Sequence, residues 1–546
     1  MRWVPAVAVV AAACQVGPSG GGFGPSRQAP EQALRIAAGS TPATLDPAKG
    51  RSDSERLISR LISEPLLKPA PDLRDVQPAA AASYDVSSDG LTYNFHLREG
   101  AAYWDGHPVV AADFVFAWQR LIDPRTAAPT AVFFAQAVKN GEEVAALDPD
   151  VEGGRIDSAL SELGLAAPDP RTFRVTLARP SGSFKWIATL WNGVPVRRDA
   201  LQGRDSELAT HPERLVTNGA FHIASLDARH FELERSERYA PRAQLRRVSI
   251  SFLAEGDLID RYRRGSLDVV AVSGAAAGTV AGDRTPAAEL LKLRRLEMLW
   301  MTFNVSRPPF DSLPVRQAFS SALDRGAYIG QELHGMGQPA RTLIPAGMRG
   351  YNPELERDGS PDPARARTLL DAAGVPPERL SGAHLLVRAT DRGRRNAELI
   401  RAQLRQNLGI ELAVEEAPSA EVLADRLKDG DFQLCAPLGW SADYPDEQDW
   451  FDLFRSNDAN NSGQWRNPRY DALVGVADAL IDPDQREHVY QQAHRLLVEQ
   501  VPVAFLAQPE SWVLRRGHVA GAVVTAFDDP SLPGDLYPEL IRITQH

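Results

Sequence analysis

The sequence predicts an α/β protein divided into two or three lobes. Three observations carry this expectation. At 546 residues the chain is longer than one ordinary hydrophobic core serves. Runs of strict alternation, such as Leu91-Thr92-Tyr93-Asn94-Phe95-His96-Leu97, read as half-buried strands. From Leu299 onward, helical-period stretches alternate with short strand-like runs, the rhythm of an α/β lobe.

Taken in order, residues 34–38 read as a strand and 52–62 as a helix, with Ser52 or Asp53 supplying the oxygen that caps its first N–H groups. Residues 91–97 form a strand, and 110–122 an amphipathic helix closed by Asp123-Pro124. Residues 171–177 alternate again, and further strands are expected at 231–234, 248–252 and 267–272. Pro314 opens a helix over 315–323, because its fixed φ suits a first turn that needs no donor there. Helices at 362–373 and 394–407 alternate with strands at 384–388 and 410–415. A helix over 420–428 then precedes a strand at 432–435. The Pro/Gly-rich stretches 339–353 and 374–382 read as surface loops, and there is no internal repeat.

Composition is that of a soluble globular protein: 43% hydrophobic and 24% charged residues, with mean hydropathy −0.28. The net charge of −11, without any basic run, speaks against a nucleic-acid partner. The only cysteines are Cys14 and Cys435. Met1-Arg2 and the apolar run from Trp3 to Ala13 make a signal-peptide-like start, too short for a permanent membrane span. Ala11-Ala12-Ala13-Cys14 resembles a bacterial lipoprotein cleavage site, which makes Cys14 the expected point of lipid attachment. Residues 1–14 are then the signal peptide. Residues 15–30, rich in Gly, Pro, Ser and Gln, bury too little surface to fold and read as a flexible tether. Cys435 is left as a lone thiol in a strand, with a packing role.

The passage Gly439-Trp440-Ser441-Ala442-Asp443-Tyr444-Pro445-Asp446 brings an indole, a hydroxyl and a carboxylate close to a strand end. A fixed carboxylate beside an indole face suits a ligand with an ammonium group and an apolar body, because both attractions strengthen once water is excluded. Other chemistry finds no support. There is no Gly-x4-Gly-Lys-Ser/Thr phosphate loop, no His-Glu-x-x-His and no Gly-x-Ser-x-Gly, and the histidines show no metal-ligand spacing. No catalytic residue, metal or cofactor is expected.

Several segments together resemble a known family. Asp89-Gly90 and the strand that follows lead through Arg98-Glu99-Gly100 to Trp104-Asp105-Gly106-His107-Pro108-Val109. Asp113-Phe114-Val115-Phe116-Ala117-Trp118-Gln119-Arg120-Leu121 and Asp123-Pro124 come next. Further matches follow in order: Thr217-Asn218-Gly219-Ala220-Phe221; Gly265-Ser266-Leu267-Asp268; Phe303-Asn304 with Pro309-Phe310-Asp311; Val315-Arg316-Gln317-Ala318-Phe319; and the segments around Trp440 and Trp465. This series resembles the extracellular solute-binding receptors of ABC importers that include the oligopeptide- and dipeptide-binding proteins. Most of these residues are structural by their own chemistry: Asp105-Gly106 makes a turn, Asp113 caps a helix and Trp118 occupies an apolar helix face.

The resemblance implies a two-lobe periplasmic-binding-protein-like fold with a small extra domain inserted in the first lobe. Lobe I is expected over residues 31–70, 190–295 and 512–546, the inserted domain over 71–189, and lobe II over 296–511, with hinge strands near 298–303 and 503–506. It implies a non-enzymatic monomer that captures peptides, expected to be oligopeptides, between its lobes. The cargo then passes to a membrane permease driven by separate ATPase subunits. Asp443 would take the ligand's ammonium, with Gly439, Trp440, Ser441 and Tyr444 lining the cleft. Three positions depart from the family pattern: Pro437 stands where an Arg is common, Thr130 where a Tyr is common, and Val272-Ser273 near an expected Asn. Lys428 and Arg466 are the available replacement cations, and each reads more simply as a surface residue. The alternatives are the same fold holding a nickel chelate, haem or an oligosaccharide, an extracellular hydrolase, and a receptor diverted to signalling.

Overall fold

In the computed structural model, residues 31–201, 215–282, 289–356 and 360–545 are described. The expected signal segment with Cys14 and the tether lie outside them. A 12-stranded mixed sheet runs through both lobes. Its second-lobe half begins with Ala413–Ala417, His384–Arg388, Leu434–Ser441 and Glu297–Phe303. Its first-lobe half continues through Val269–Val272, Ala33–Ala38, Arg247–Phe252, His230–Arg235 and Phe221–Leu226. Between the halves lies the long strand Val503–Arg515. Its beginning pairs with Glu297–Phe303, and its end pairs with Leu290–Arg294 and Val269–Val272. The chain therefore crosses between lobes along two neighbouring strand pathways, one through residues 294–297 and one through 507–510.

A separate four-stranded antiparallel sheet (Ala81–Val86, Thr92–Leu97, Thr172–Thr176, Leu165–Asp169) is backed by helices that include Ala111–Ile122 and Ala131–Ala137. Phe95, Phe114, Trp118, Phe134 and Phe173, all fully buried, form the centre of its core. This unit falls within residues 71–189, the stretch expected as the inserted domain.

The motif residues turn out to hold the frame. Ser52 caps the helix Asp53–Ile62 reciprocally with Glu55. The Asp113 carboxylate accepts the Val110 N–H, and the Trp118 indole donates to the Gly193 carbonyl. Gly106 adopts φ +92°, the left-handed turn its position requires. Asn218 bonds the Glu64 backbone at both its N–H and its carbonyl, and Gly219 packs so closely on Ile62 that a Cβ would sit 2.2 Å from backbone. Asp268 receives the Arg35 backbone N–H and guanidinium, locking Ala33–Ala38 beside Val269–Val272. Arg316 spends its donors on the carbonyls of Phe310, Gln500 and Val501.

Among the boundaries that differ from expectation, two strands stand out. The strand expected at 410–415 is Ala413–Ala417. Ile410 and Leu412 are buried after the Gly409 helix cap, so their alternation reflects a tucked connection and not a ladder. The strand expected at 432–435 runs instead as Leu434–Ser441. Its pairing shifts register between Trp300 and Thr302 of the neighbouring strand. Pro437 falls at that irregularity, where a missing N–H is tolerated. Cys435 is buried against Leu386, Ala417 and Phe432, and burial pushes its thiol up to about 12, which suits packing.

Candidate ligand-binding site

The strand Leu434–Ser441 ends at the junction of the lobes. Ser441 stands opposite Glu297 in the ladder, and the Ala442 N–H donates to the Leu296 carbonyl at 2.8 Å. Gly439 lies against Met298, whose carbonyl oxygen would be 2.5 Å from an added Cβ, so a glycine is needed there for close approach. Beyond the strand the chain turns, and its side chains diverge. Tyr444 turns into the inserted domain's core, 6% exposed and edge-on to Phe133 at 6.0 Å. Asp446 meets Arg486 through two hydrogen bonds of 2.8 and 2.9 Å, both partners buried. Asp449, also buried, accepts at one oxygen both the Trp440 indole N–H (3.2 Å) and the Asp443 backbone N–H (3.1 Å).

Asp443 itself is half-buried, and its surroundings set its charge. Burial pushes its carboxyl up to about 6, and the Arg56 guanidinium, on the lobe I helix Asp53–Ile62, pulls the other way. Arg56 is engaged by Asp53 at 2.8 Å and Asp529 at 3.3 Å. Asp449 is driven well above the carboxylate range, first by burial and then by the Asp443 charge. Burial also raises Glu297, against the pull of Arg295, Arg392 and a hydrogen bond with Ser441. For Asp446, burial opposes ionisation, but Arg486 holds the carboxyl below its ordinary value. Asp443 thus feels the charge of Arg56, and Glu297 that of Asp53, both from the helix Asp53–Ile62.

Behind the strand, Trp440, Trp300, Leu438, Phe454, Asn460 and Val503 border a cavity of about 130 Å³. A larger surface cavity of about 630 Å³ lies elsewhere in lobe II and does not include Asp443. Its Arg325 is spent on the carbonyls of Ser320, Leu323, Ala340 and Phe505. Among the described residues, no group of three or more His, Cys, Asp and Glu side chains is arranged to hold a metal ion.

The profile of the bacterial extracellular solute-binding proteins, family 5 Middle, matches residues 75–462. The chain belongs to this family. It is 30% identical over 489 residues to the probable deoxycholate-binding periplasmic protein of Escherichia coli strain K12, covering 87% of this chain and 88% of that protein. It is 28% identical over 482 residues to the periplasmic oligopeptide-binding protein of Salmonella typhimurium strain LT2, covering 84% of each. In fold it overlaps a solved periplasmic murein tripeptide-binding protein, described as an unliganded open form. The TM-score is 0.81 at 24% identity, over 95% of this chain and 99% of that one.

For a family 5 solute-binding protein, the positions that depart from the pattern now have physical settings. Pro437 sits in the strand irregularity and contributes no cation. The Thr130 hydroxyl, at the start of Ala131–Ala137, is buried without a partner. Val272 pairs with Trp512 in the sheet, and Ser273 precedes the helix Gly274–Gly282. Lys428 and Arg466 are both exposed, Arg466 bordering a separate surface depression with Asp311 and Arg316. Trp465 is 4% exposed and packs edge-on against Tyr470.

Sequence reasoning missed three residues: Asp449, Arg56 and Glu297. Asp449 carried a usable signal, since an acidic residue near the start of an apolar helical turn suggests a buried partner. Arg56 and Glu297 carried none, because only the fold brings them to the strand end.

Proposed function

We propose that the protein is the receptor of an ABC-type importer, taking up a peptide or another amino-bearing solute between its lobes. The cargo would pass to a membrane permease driven by separate ATPase subunits. The single observation that carries this reading is the setting of Asp443: a half-buried carboxylate at the lobe junction, held with the Trp440 indole by Asp449, and facing a guanidinium already engaged with two other carboxylates. A ligand ammonium would satisfy it, and the low local dielectric makes that pairing selective. Trp440 and Ser441 would line the cleft, with Gly439 allowing the close strand packing that presents them and Tyr444 fixing the turn from behind. The cavity beside Trp440 would accept a small apolar side group, being close in size to cavities that hold benzene.

The same reading makes residues 31–70, 190–295 and 512–546 lobe I, 71–189 the inserted domain and 296–511 lobe II, with closure about residues 294–297 and 507–510. The receptor would work as a monomer at the outer face of a membrane, held by a lipid on Cys14 through the tether of residues 15–30. Among the described residues no helix is long and apolar enough to cross a membrane.

A second reading is a non-peptide amphiphile. It is favoured by Pro437, which removes a guanidinium from the cleft pattern, and by the name of the deoxycholate-binding relative. The deciding experiment is native mass spectrometry of the purified protein, followed by denaturation and identification of what is released. Peptides with free amino termini support the first reading; a steroid acid or other non-peptide solute supports the second.

A further inference from the structure

The proposed ligand groups, Asp443 and Trp440, share a support that touches no ligand. One oxygen of Asp449 receives the Trp440 indole N–H and the Asp443 backbone N–H together. It thereby fixes the indole's orientation and the turn that aims the Asp443 carboxylate. Asp449 is 6% exposed, so it is largely withdrawn from solvent.

Two carboxylates so placed need a counter-charge, and the groups around them do not supply a free one. On their own loop lie Asp446 and Tyr444, and Asp446 is taken by Arg486 of the helix Pro483–Gln500. The inserted domain's Lys185 acts on Asp446 and is bonded to Asp75. From lobe I comes Arg56, divided between Asp53 and Asp529. Like charges in a site of this kind are relieved by keeping a proton.

We propose that Asp449 is the positioning residue of the cleft, and that Asp449 and Asp443 hold one proton between them while the cleft is empty. The inference rests on the assignment of Asp443 and Trp440 to the site. Its consequence is that an arriving cation at Asp443 competes with that proton, so capture of an ammonium is coupled to proton release. Burial, which raises both carboxyls, agrees with it, and at Asp449 the Asp443 charge adds to the rise, which outweighs the two N–H bonds that favour the ionised form.

The test uses the full, ligand-free chain with isotope-labelled tryptophan indoles, Trp440→Phe identifying the Trp440 resonance. The expected result is a Trp440 indole N–H signal that moves with pH in a step between about pH 4 and pH 9. Asp443→Asn should remove that step or lower its midpoint by about one pH unit or more. Asp449→Asn, which keeps an acceptor oxygen but not the charge, should keep the indole bonded and abolish the step. A flat wild-type signal, or the same midpoint in Asp443→Asn, overturns the proposal. A purely mechanical support would leave the pH profile unmoved. If Asp449→Asn fails to fold, wild type and Asp443→Asn decide the matter alone. Because no ligand is added, failure to find peptides in the purified protein leaves this test standing, and a flat titration leaves the peptide reading standing.

Discussion

Asp446 and Asp443 lie on one loop and are both withdrawn from water, yet their charges are met in opposite ways. Asp446 has Arg486 at 2.8 and 2.9 Å and the Gln448 backbone N–H at 3.0 Å, and its carboxyl is held below the usual range. Asp443 has only the distant pull of Arg56 and is pushed up to about 6. The first is a completed pair that ties the loop to the helix Pro483–Gln500. The second is an incomplete one, and in the proposed function the ligand is its partner. Within a single turn of chain, charge satisfaction separates a framework residue from the proposed binding residue, where sequence shows two aspartates alike.

The largest expected effect tests the completed pair. Asp446→Ala leaves Arg486 buried without its carboxylate and should cost about 3–5 kcal/mol of stability, read as a lower urea midpoint. Tyr444→Ala comes next. It empties an aromatic-sized space in the inserted domain's core and should cost about 3 kcal/mol, whereas Tyr444→Phe should remain close to wild type. Asp443→Asn tests the incomplete pair: ligand affinity should fall by about 2–3 kcal/mol, while the melting temperature holds or rises because a desolvated charge is gone. Wild-type melting behaviour in all three variants would erase the distinction between the two aspartates.

Smaller effects sharpen it. An ammonium ligand binds the ionised form of Asp443, so affinity should strengthen as pH rises through about 6. Calorimetry at about pH 7, where the α-amino group is still mostly protonated, and about pH 5 should differ by about tenfold, weaker on the acid side. Glu447, the neighbour of Asp446, is buried with both carboxylate oxygens unpartnered, and burial together with Asp446 raises it to about 8. Its folded form prefers the proton, so its contribution to stability is full at low pH and is lost as pH rises from the ordinary carboxylate range through about 8. Glu447→Gln should therefore flatten the fall in melting temperature between about pH 5 and pH 8.

Much of the fold was legible because the periodic segments bury one face and the motif residues carry structural jobs. Trp118, Asn218, Asp268 and Arg316 each complete a packing or backbone bond that their chemistry suggests. Boundaries were misread where burial imitates a strand, as at Ile410 and Leu412, and where an irregular ladder carries a proline, as at Pro437. The site was legible only in part. Asp443 and Trp440 stand in one short passage, but Tyr444, singled out with them, faces the inserted domain's core. Arg56 and Glu297 are far away in sequence; only the fold sets Glu297 opposite Ser441 and brings the Arg56 charge to bear on Asp443.

The central claim is that Asp443 takes a ligand ammonium, and calorimetry tests it most directly. A mixture of short peptides with free amino termini, and the same mixture after amino-terminal acetylation, would be titrated into the wild type and Asp443→Asn. The account predicts that the wild type binds the free peptides, loses at least tenfold in affinity for the acetylated ones, and that Asp443→Asn no longer discriminates between them. Equal wild-type affinity for both mixtures, or undiminished discrimination in Asp443→Asn, would contradict it.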